Sequence, residues 1–224
     1  MIKRSISQRS ELIYDAQNFG IMIDTREIFL APNYNNDIDE TQIDHVVANQ
    51  FIRNLRILDT ISADPILIHC ITCGGSWTYG LSIYDAIKNS HSEITILIHG
   101  EASSMSSIIP QAADQRILMP HASFHIHWGD SVVEGTRISL ESQAEWSKKE
   151  QEVMLDIYTE KCKEGAFFKR EGLIEDKQVR EWLKDVLDKK QEIFMTGREA
   201  IDKGFADAIL GDEGYETLGG LREE

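Results

Sequence analysis

Residues 94–107 read Ile-Thr-Ile-Leu-Ile-His-Gly-Glu-Ala-Ser-Ser-Met-Ser-Ser, so an apolar run passes directly into small polar residues. The run at 94–98 has the length and composition of a buried strand, and a short helix is expected from Ser104 to about Ala113. Ser104 therefore lies at a strand-to-helix junction, where its hydroxyl can be exposed. A nucleophilic serine is typical of such a junction, and a helix-capping serine is the plainer alternative.

The alternation of strands and helices continues on both sides of this stretch. Strands are expected at 65–71, 116–119, 123–127 and 206–210, and helices at 79–88, 138–163 and 176–188. Before them, apolar residues at a helical spacing predict a helix of about 20 residues with Asp39 as its N-cap. A loop is expected at 165–172, and the capping box Thr196-Gly-Arg-Glu199 predicts a short helix. Alternating βα units predict an α/β fold with a mainly parallel sheet.

Bulk composition limits the class of protein. The chain has 224 residues with 42% hydrophobic content, enough for one substantial core. A formal net charge of -15 argues against nucleic acid or an anionic membrane as a partner. No segment reaches the roughly 18 apolar residues of a membrane span, and the start of the chain lacks the apolar core of a signal peptide. Three cysteines, an odd number, argue against a disulfide framework. We therefore expect a cytoplasmic protein.

Four residues could carry acyl transfer. A nucleophilic serine needs a base, a group that orients the base, and N–H donors for the developing oxyanion. His127 lies on the polar face of an alternating strand, so it is a suitable base for Ser104. The amide of Met105 follows the serine at the start of a helix, and Gly75 allows the backbone to approach a substrate closely. Gly75 and Met105 are therefore the candidate oxyanion donors, and a tight turn without function is the alternative for the glycine.

The same region suggests two other kinds of site. His121, His125 and His127 suggest metal ligation, because His125 and His127 share one face of the strand. No nearby acid or cysteine completes a defined site, so no metal is predicted. Cys70 and Cys73 form a Cys-x-x-Cys pair, but Cys70 lies in an apolar run, where a buried thiol is the simpler interpretation. The acyl-transfer chemistry requires no cofactor, and the chain has no Gly-x-x-x-x-Gly-Lys-Ser/Thr loop for a nucleotide.

Together these elements resemble the ClpP family, the proteolytic subunits of the Clp protease within the crotonase-like superfamily. The resemblance is carried, in chain order, by Gly74-Gly75-Ser76 with Ile83-Tyr84-Asp85, Ser103-Ser104-Met105, Pro120-His121-Ala122 leading to Ile126-His127, Phe194-Met195-Thr196, Glu199-Ala200 and Gly204-Phe205-Ala206-Asp207. It covers about residues 26–210 and implies one ClpP-like domain there, made of repeated βα units with a protruding long helix. An N-terminal segment at 1–25, which is axial in the family, and an acidic, glycine-containing tail at 211–224 are expected outside that domain.

The resemblance implies that Ser104 is the nucleophile and His127 the base of a serine endopeptidase. It leaves two acids open as the third member of the triad. Glu192 stands two residues before Phe194, where the family has aspartate, and Asp188 falls on an earlier acid of the family. A glutamate can accept the imidazole N–H as an aspartate does. For both acids, the alternative is a solvated charge beside a helix end.

The resemblance also implies partners. Copies of the chain would form stacked rings, heptameric or tetradecameric, around a chamber in which unfolded polypeptide is cleaved, and an AAA+ unfoldase would use ATP to supply the substrate. Two other functions stay open. A catalytically weak or inactive ClpP-like structural subunit is suggested by the altered acid and by Cys73, where the family commonly has proline. An acyl-CoA hydratase or isomerase of the same superfamily fold would use the two-amide oxyanion site on a thioester.

Overall fold

The computed structural model describes residues 6–31, 42–130 and 132–222. The strands are β1 (Ile21–Met22), β2 (Glu27–Leu30), β3 (Gln42–Ile43), β4 (Ile66–Cys70), β5 (Gly74–Gly75), β6 (Ile94–Ile98), β7 (Glu101–Ser103), β8 (Gln115–Leu118), β9 (Ser123–His127), β10 (Glu192–Thr196) and β11 (Ala208–Ile209). The helices are α1 (Ile6–Phe19), α2 (His45–Ile61), α3 (Trp77–Lys88), α4 (Met105–Ile108), α5 (Arg137–Cys162), α6 (Ala166–Arg170), α7 (Asp176–Lys190) and α8 (Gly197–Asp202). Short 3-10 turns occur at Ile23–Thr25, Ile109–Ala112 and Gly220–Arg222.

The main sheet contains six of these strands in the order β1-β2-β4-β6-β8-β11. Its neighbouring strands run parallel except β1, which pairs antiparallel with β2. Every residue of β4 and β6 is buried, as expected for parallel strands that are covered on both faces. The predicted α/β fold with a mainly parallel sheet is confirmed.

The two faces of the main sheet are covered differently. The face toward α2 and α3 belongs to the large core of the domain. The other face carries a smaller cluster, made of Leu67, Leu97, Ile117, Ala208 and Leu221. Because Leu221 is only 7% exposed, the C-terminal tail helps to cover this second face.

A second sheet of three strands, in the order β10-β9-β7, positions the candidate site. β7 pairs parallel with β9, so Ser103 lies opposite His125. β10 pairs antiparallel with β9 and places Phe194 opposite His125 and Glu192 opposite His127. Because side chains alternate along a strand, the two histidines share one face of β9.

Helix α5 is the protruding long helix. Its buried residues, Met154, Leu155, Ile157, Tyr158, Thr159 and Cys162, all lie in its C-terminal half. Its N-terminal half has no buried residue, and Ile138 and Trp146 in that half are 69% and 60% exposed. The helix therefore extends beyond the core, as the resemblance implied. None of the helices in the described ranges combines the length and apolar character that crossing a membrane requires.

The loop predicted at 165–172 is wrong, because this segment contains α6. The rings of Phe167 and Phe168 pack against Trp182 of α7, with centroid distances of 5.0 and 5.1 Å. The flanking glycines suggested a loop, but this tertiary contact outweighs a weak local preference.

The start of α2 also differs from the prediction. Its N-cap is Asp44, whose carboxylate accepts N–H bonds from Val46 and Val47 at 2.9 Å each. Asp39, the predicted N-cap, lies outside the described residues. The capping box at the start of α8 is confirmed, since Thr196 and Glu199 each cap the amide of the other.

Candidate active site

Ser104 occupies the junction between β7 and α4. Its backbone has φ 53° and ψ -126°, a left-handed conformation that glycine adopts far more readily than other residues. It stands at the N-cap position of α4, but its side chain makes no capping hydrogen bond. Within the described ranges its Oγ makes no other hydrogen bond. Helix capping therefore does not explain this serine.

The serines that follow are, in contrast, fully engaged. Ser106 Oγ donates to the carbonyl of Thr72 at 2.5 Å. Ser107 Oγ donates to the carbonyl of Ser104 at 2.5 Å and lies 2.7 Å from the hydroxyl of Tyr158. These bonds fix α4 against α5 and against the segment between β4 and β5, so they hold Ser104 in place.

β5 passes so close to Ser104 that its glycines cannot carry a side chain. A Cβ on Gly74 would lie 2.7 Å from Ser104 Cβ and 2.9 Å from Met105 N. A Cβ on Gly75 would collide with the backbone of Ile43 on β3. Both glycines also have positive φ, at 112° and 143°. This close approach brings the backbone of β5 beside the amide of Met105.

A cavity of about 210 Å³ opens beside Ser104. Its lining includes Ser104, His127, Gly75 and Met105, the residues that the sequence analysis selected as nucleophile, base and oxyanion donors. Its walls include Trp77, Ile108, Trp128, Met154 and Tyr158. The structure therefore brings four of the candidate residues together around one space that a substrate can enter.

His127 reaches the cavity from the end of β9. Its side chain is 14% exposed, and its Nε2 is buried without a hydrogen-bond partner in the described part of the chain. Its Nδ1 lies 4.0 Å from a carboxylate oxygen of Asp130, an acid that is 98% exposed. An imidazole nitrogen that no other group engages is available to accept a proton.

The two candidate acids differ in their surroundings. Glu192 lies opposite His127 in the β9–β10 ladder, and one of its carboxylate oxygens is within 4.8 Å of a His127 ring nitrogen. Asp188, near the end of α7, accepts a bond from Trp128 Nε1 at 3.2 Å and pairs with Lys184. The carboxylate of Asp188 is therefore held by other partners, whereas that of Glu192 lies beside the histidine.

His125 lies next to His127 on the same face of β9, with ring centroids 5.1 Å apart. Its ring stacks on Phe194 at 4.1 Å, and its Nδ1 is 2.8 Å from the hydroxyl of Ser103. Burial lowers the pKa of His125, and His127 lowers it further. Both effects favour the neutral form of the ring. Its Nε2, like that of His127, is buried with no hydrogen-bond partner among the described residues.

Sequence reasoning missed several residues of this site. Asp130 and Trp128 follow β9 in an irregular segment, where no periodic pattern marks them. Met154 and Tyr158 belong to the apolar stripe of α5 and enter the cavity only because this helix packs over α4. The Ser107–Tyr158 contact could be found only from the tertiary structure.

Comparison with known proteins places these features in a family. The chain is 28% identical over 215 residues to the ATP-dependent Clp protease proteolytic subunit of Deinococcus radiodurans, which covers 95% of this chain and 92% of that protein. It is 29% identical over 194 residues to the ATP-dependent Clp protease proteolytic subunit 1 of Protochlamydia amoebophila, which covers 84% of this chain and 82% of that protein. The resemblance seen in the sequence is confirmed.

Structure and sequence profile agree with these relatives. A mutant of ClpP1 from Listeria monocytogenes has a TM-score of 0.67 at 22% identity, over 89% of this chain and 96% of that chain, which shows a shared fold. The profile of the Clp protease family matches residues 9–213. The chain therefore belongs to the Clp protease family, the family of ClpP-type serine peptidases.

Proposed function

We propose that this chain cleaves peptide bonds with a triad of Ser104, His127 and Glu192. Ser104 Oγ attacks the peptide carbonyl while His127 removes its proton, and His127 then returns the proton to the leaving amine. Water hydrolyses the resulting acyl-enzyme by the same steps in reverse. Glu192 orients the imidazole and stabilises its protonated form. The observation that carries the proposal is the uncommitted hydroxyl of Ser104 in the cavity that His127 also lines.

The amides of Gly75 and Met105 bind the oxyanion in this mechanism. The N–H of Ser76, the residue directly after β5, donates to the carbonyl of Ile43 at 2.8 Å and therefore faces β3. Because successive amides of a strand point to opposite sides, the N–H of Gly75 points away from β3. Met105 is the first residue of α4, where an amide has no acceptor within the helix. Both donors line the cavity beside Ser104.

Among the described residues, neither the His127–Ser104 nor the His127–Glu192 hydrogen bond of the triad is formed in this conformation. His127 Nε2 has no partner within the described ranges, so the bond to Ser104 Oγ is open. Catalytic hydrogen bonds are often long in unliganded enzymes and shorten when substrate binds. Glu192 is preferred to Asp188 as the acid because its carboxylate lies beside the histidines and Asp188 is bound elsewhere.

The substrate and the partners are inferred on family grounds. The relatives named above are proteolytic subunits of an ATP-dependent protease. We infer that this chain acts on unfolded polypeptide, assembles with copies of itself into stacked heptameric rings, receives substrate from an AAA+ unfoldase and works in the cytoplasm. The exposed Ile138, Leu140 and Trp146 on the uncovered half of α5 support assembly, because a partner subunit could cover these large apolar side chains, which the single chain leaves in water.

Labelling with a fluorophosphonate tests the proposal. We expect the assembled full chain to take up the label and to hydrolyse an unfolded peptide. Ser104→Ala should lose the label and reduce the hydrolysis rate at least about thousandfold. Ser123→Ala is the matched control, because it removes an exposed hydroxyl at the start of β9, and this variant should be labelled normally.

Two results would redirect the assignment. A folded and assembled wild-type chain that takes no label would indicate the catalytically inactive structural subunit. Binding of CoA without labelling would indicate the hydratase or isomerase alternative. The relatives named above do not favour that alternative, because both are named proteolytic subunits.

A further inference from the structure

The side chains of His125, His127 and Glu192, here called the His-Glu cluster, provide the donor set of a transition-metal site. One ring nitrogen of each histidine and one carboxylate oxygen of Glu192 lie within 4.8 Å of one another. We propose that the His-Glu cluster binds one zinc ion and that the bound ion reversibly inhibits the peptidase. Binding requires only these three side chains, whereas the inhibition rests on the proposed function.

The distances suit a small closing movement. Donor atoms about 2.1 Å from a zinc ion are about 3.4 Å apart in a tetrahedral site. Because the three donor atoms lie within 4.8 Å of one another, each pair needs to approach by no more than about 1.4 Å. Glu192 is exposed, which lets its side chain rotate toward the histidines and gives an ion a path from solvent. The β9–β10 ladder fixes the backbone of Glu192 directly opposite His127.

The histidine nitrogens are available for an ion. The Nε2 atoms of His125 and His127 are both buried, and neither has a hydrogen-bond partner in the part of the chain that the structure describes. Buried polar atoms without a partner are rare in folded proteins and call for an explanation such as an ion or a water. Each histidine of the cluster therefore has an uncommitted ring nitrogen, and the carboxylate of Glu192 lies within 4.8 Å of a ring nitrogen of each, which matches the chemistry of a zinc ligand set.

The surroundings of His125 resemble those of a metal-binding histidine. Its Nδ1 lies 2.8 Å from Ser103 Oγ, so an Nδ1–H can donate to the hydroxyl and leave Nε2 unprotonated for an ion. Its ring stacks almost parallel on Phe194, at 4.1 Å and 5°, which restricts rotation. This second-sphere bond and this packing hold the ring in one orientation before an ion arrives.

Two imidazoles and one carboxylate favour zinc over magnesium or calcium. Calcium and magnesium prefer oxygen ligands, whereas zinc accepts nitrogen and oxygen donors and leaves its fourth position to water. An ion held in this way occupies a nitrogen of His127 and an oxygen of Glu192. His127 then cannot take the proton of Ser104, which accounts for inhibition without a covalent step.

Zinc titration of the metal-free, full-length chain tests binding directly. We expect calorimetry to detect one zinc ion per chain. His125→Gln should weaken binding at least about tenfold, because it removes one ligand. His121→Gln is the matched control, since His121 is an exposed histidine in the turn before β9 and lies outside the cluster. It should bind zinc as the wild type does.

Glu192→Gln provides a second variant whose folding is not in question, because Glu192 is exposed. It should also weaken zinc binding at least about tenfold. The proposal is wrong if the wild type binds no zinc, if His125→Gln and Glu192→Gln bind it as tightly as the wild type, or if His121→Gln weakens it equally.

Peptide hydrolysis then tests the consequence of binding. Zinc should inhibit the wild type and the His121→Gln variant at the concentration at which it binds, and a chelator should restore their activity. His125→Gln should need at least about ten times more zinc for the same fractional inhibition. Zinc binding without inhibition contradicts the inhibitory role. A chain that binds zinc but hydrolyses no peptide in its absence contradicts the proposed function and leaves the metal site standing.

Discussion

Among the residues that the structure describes, a glutamate and two histidines meet in two groups, and these groups differ in their hydrogen bonding. In the first, His69 on β4 contacts Glu27 at 2.8 Å through Nε2 and His99 at 3.1 Å through Nδ1. In the second, the His-Glu cluster beside the cavity, the Nε2 atoms of both histidines are without partners in the described ranges. The first group is closed and the second is open.

This difference separates residues that hold the fold from residues that are available for chemistry. The closed group joins β2 and β4 to the segment after β6, and Phe29 stacks on His69 at 4.7 Å. Both ring nitrogens of His69 are used there, so its imidazole has nothing left to offer a substrate. The open group keeps donor atoms unused beside the cavity that contains Ser104, the proposed nucleophile. The same residue types are therefore committed to the fold in one place and left available for the proposed chemistry in another.

The largest effect on activity is expected when a histidine of the open group is replaced, and replacing a histidine of the closed group provides the comparison. His127→Asn should lower the peptide hydrolysis rate at least about thousandfold, because the base is lost. It should leave the midpoint of thermal unfolding almost unchanged, because His127 Nε2 has no hydrogen bond to lose. Hydrolysis assays and calorimetry on the same samples measure both quantities.

His69→Asn should give the opposite pattern. It removes the contacts with Glu27 and His99 inside the main sheet and should cost about 1–3 kcal/mol of stability. The hydrolysis rate of the folded variant should stay near that of the wild type. Equal effects of the two substitutions on activity would remove the distinction between the closed and open groups.

A smaller effect is expected from the acids. Glu192→Gln should reduce the turnover number about 10²- to 10⁴-fold, because an amide cannot stabilise the protonated imidazole. Asp188→Asn is the matched control, since Asp188 is engaged with Trp128 and Lys184. It should change turnover less than about tenfold. The reverse order of the two effects would assign the third triad position to Asp188.

The smallest effect concerns pH. Burial lowers the pKa of His99 in the closed group, and His69 lowers it further; burial and His127 do the same for His125 in the open group. Below their ordinary pKa of 6.5 the unfolded chain therefore binds more protons than the folded chain, so stability should fall as the pH decreases through that value. Unfolding midpoints measured between about pH 8 and pH 5 should show this loss.

Substituting each histidine separately divides the pH effect between the groups. His99→Gln and His125→Gln should each flatten the pH dependence, because each removes one group that the folded state keeps neutral. If only His99→Gln flattens it, the acid sensitivity of the fold belongs to the closed group alone. A profile that neither substitution alters would contradict both assignments.

Parts of the fold could be predicted from the sequence because their signals are local. β6 and β9 were placed with their observed bounds, since five consecutive apolar residues and a strict alternation each identify a strand without reference to the rest of the chain. β10 was not predicted. Phe194 takes an outward position in this strand and is 70% exposed, so the run at 192–196 shows no clear alternation of polar and apolar residues.

The candidate site was also predictable only where its residues lie in local sequence patterns. Ser104, Gly75 and His127 each follow or end a strand in a recognisable local pattern, and the structure places all three around one cavity. Glu192 and His125 lie close together only because β9 pairs with β10, and this pairing joins residues that are far apart in sequence. No local pattern indicates which strands pair, so the sequence did not predict the proposed metal site, although two of its ligands, the histidines, were noticed.

The left-handed backbone at Ser104 has a consequence for the energetics of the whole chain. Glycine reaches this conformation without strain, whereas any residue with a Cβ gives up about 1–3 kcal/mol of folding free energy there. Domains of this size are stable by only about 5–15 kcal/mol, so the strain at one residue is a noticeable fraction of the margin. With Ser104 as the proposed nucleophile, position 104 is a place where catalytic activity and thermal stability compete, and any effort to stabilise this protein should leave it unchanged.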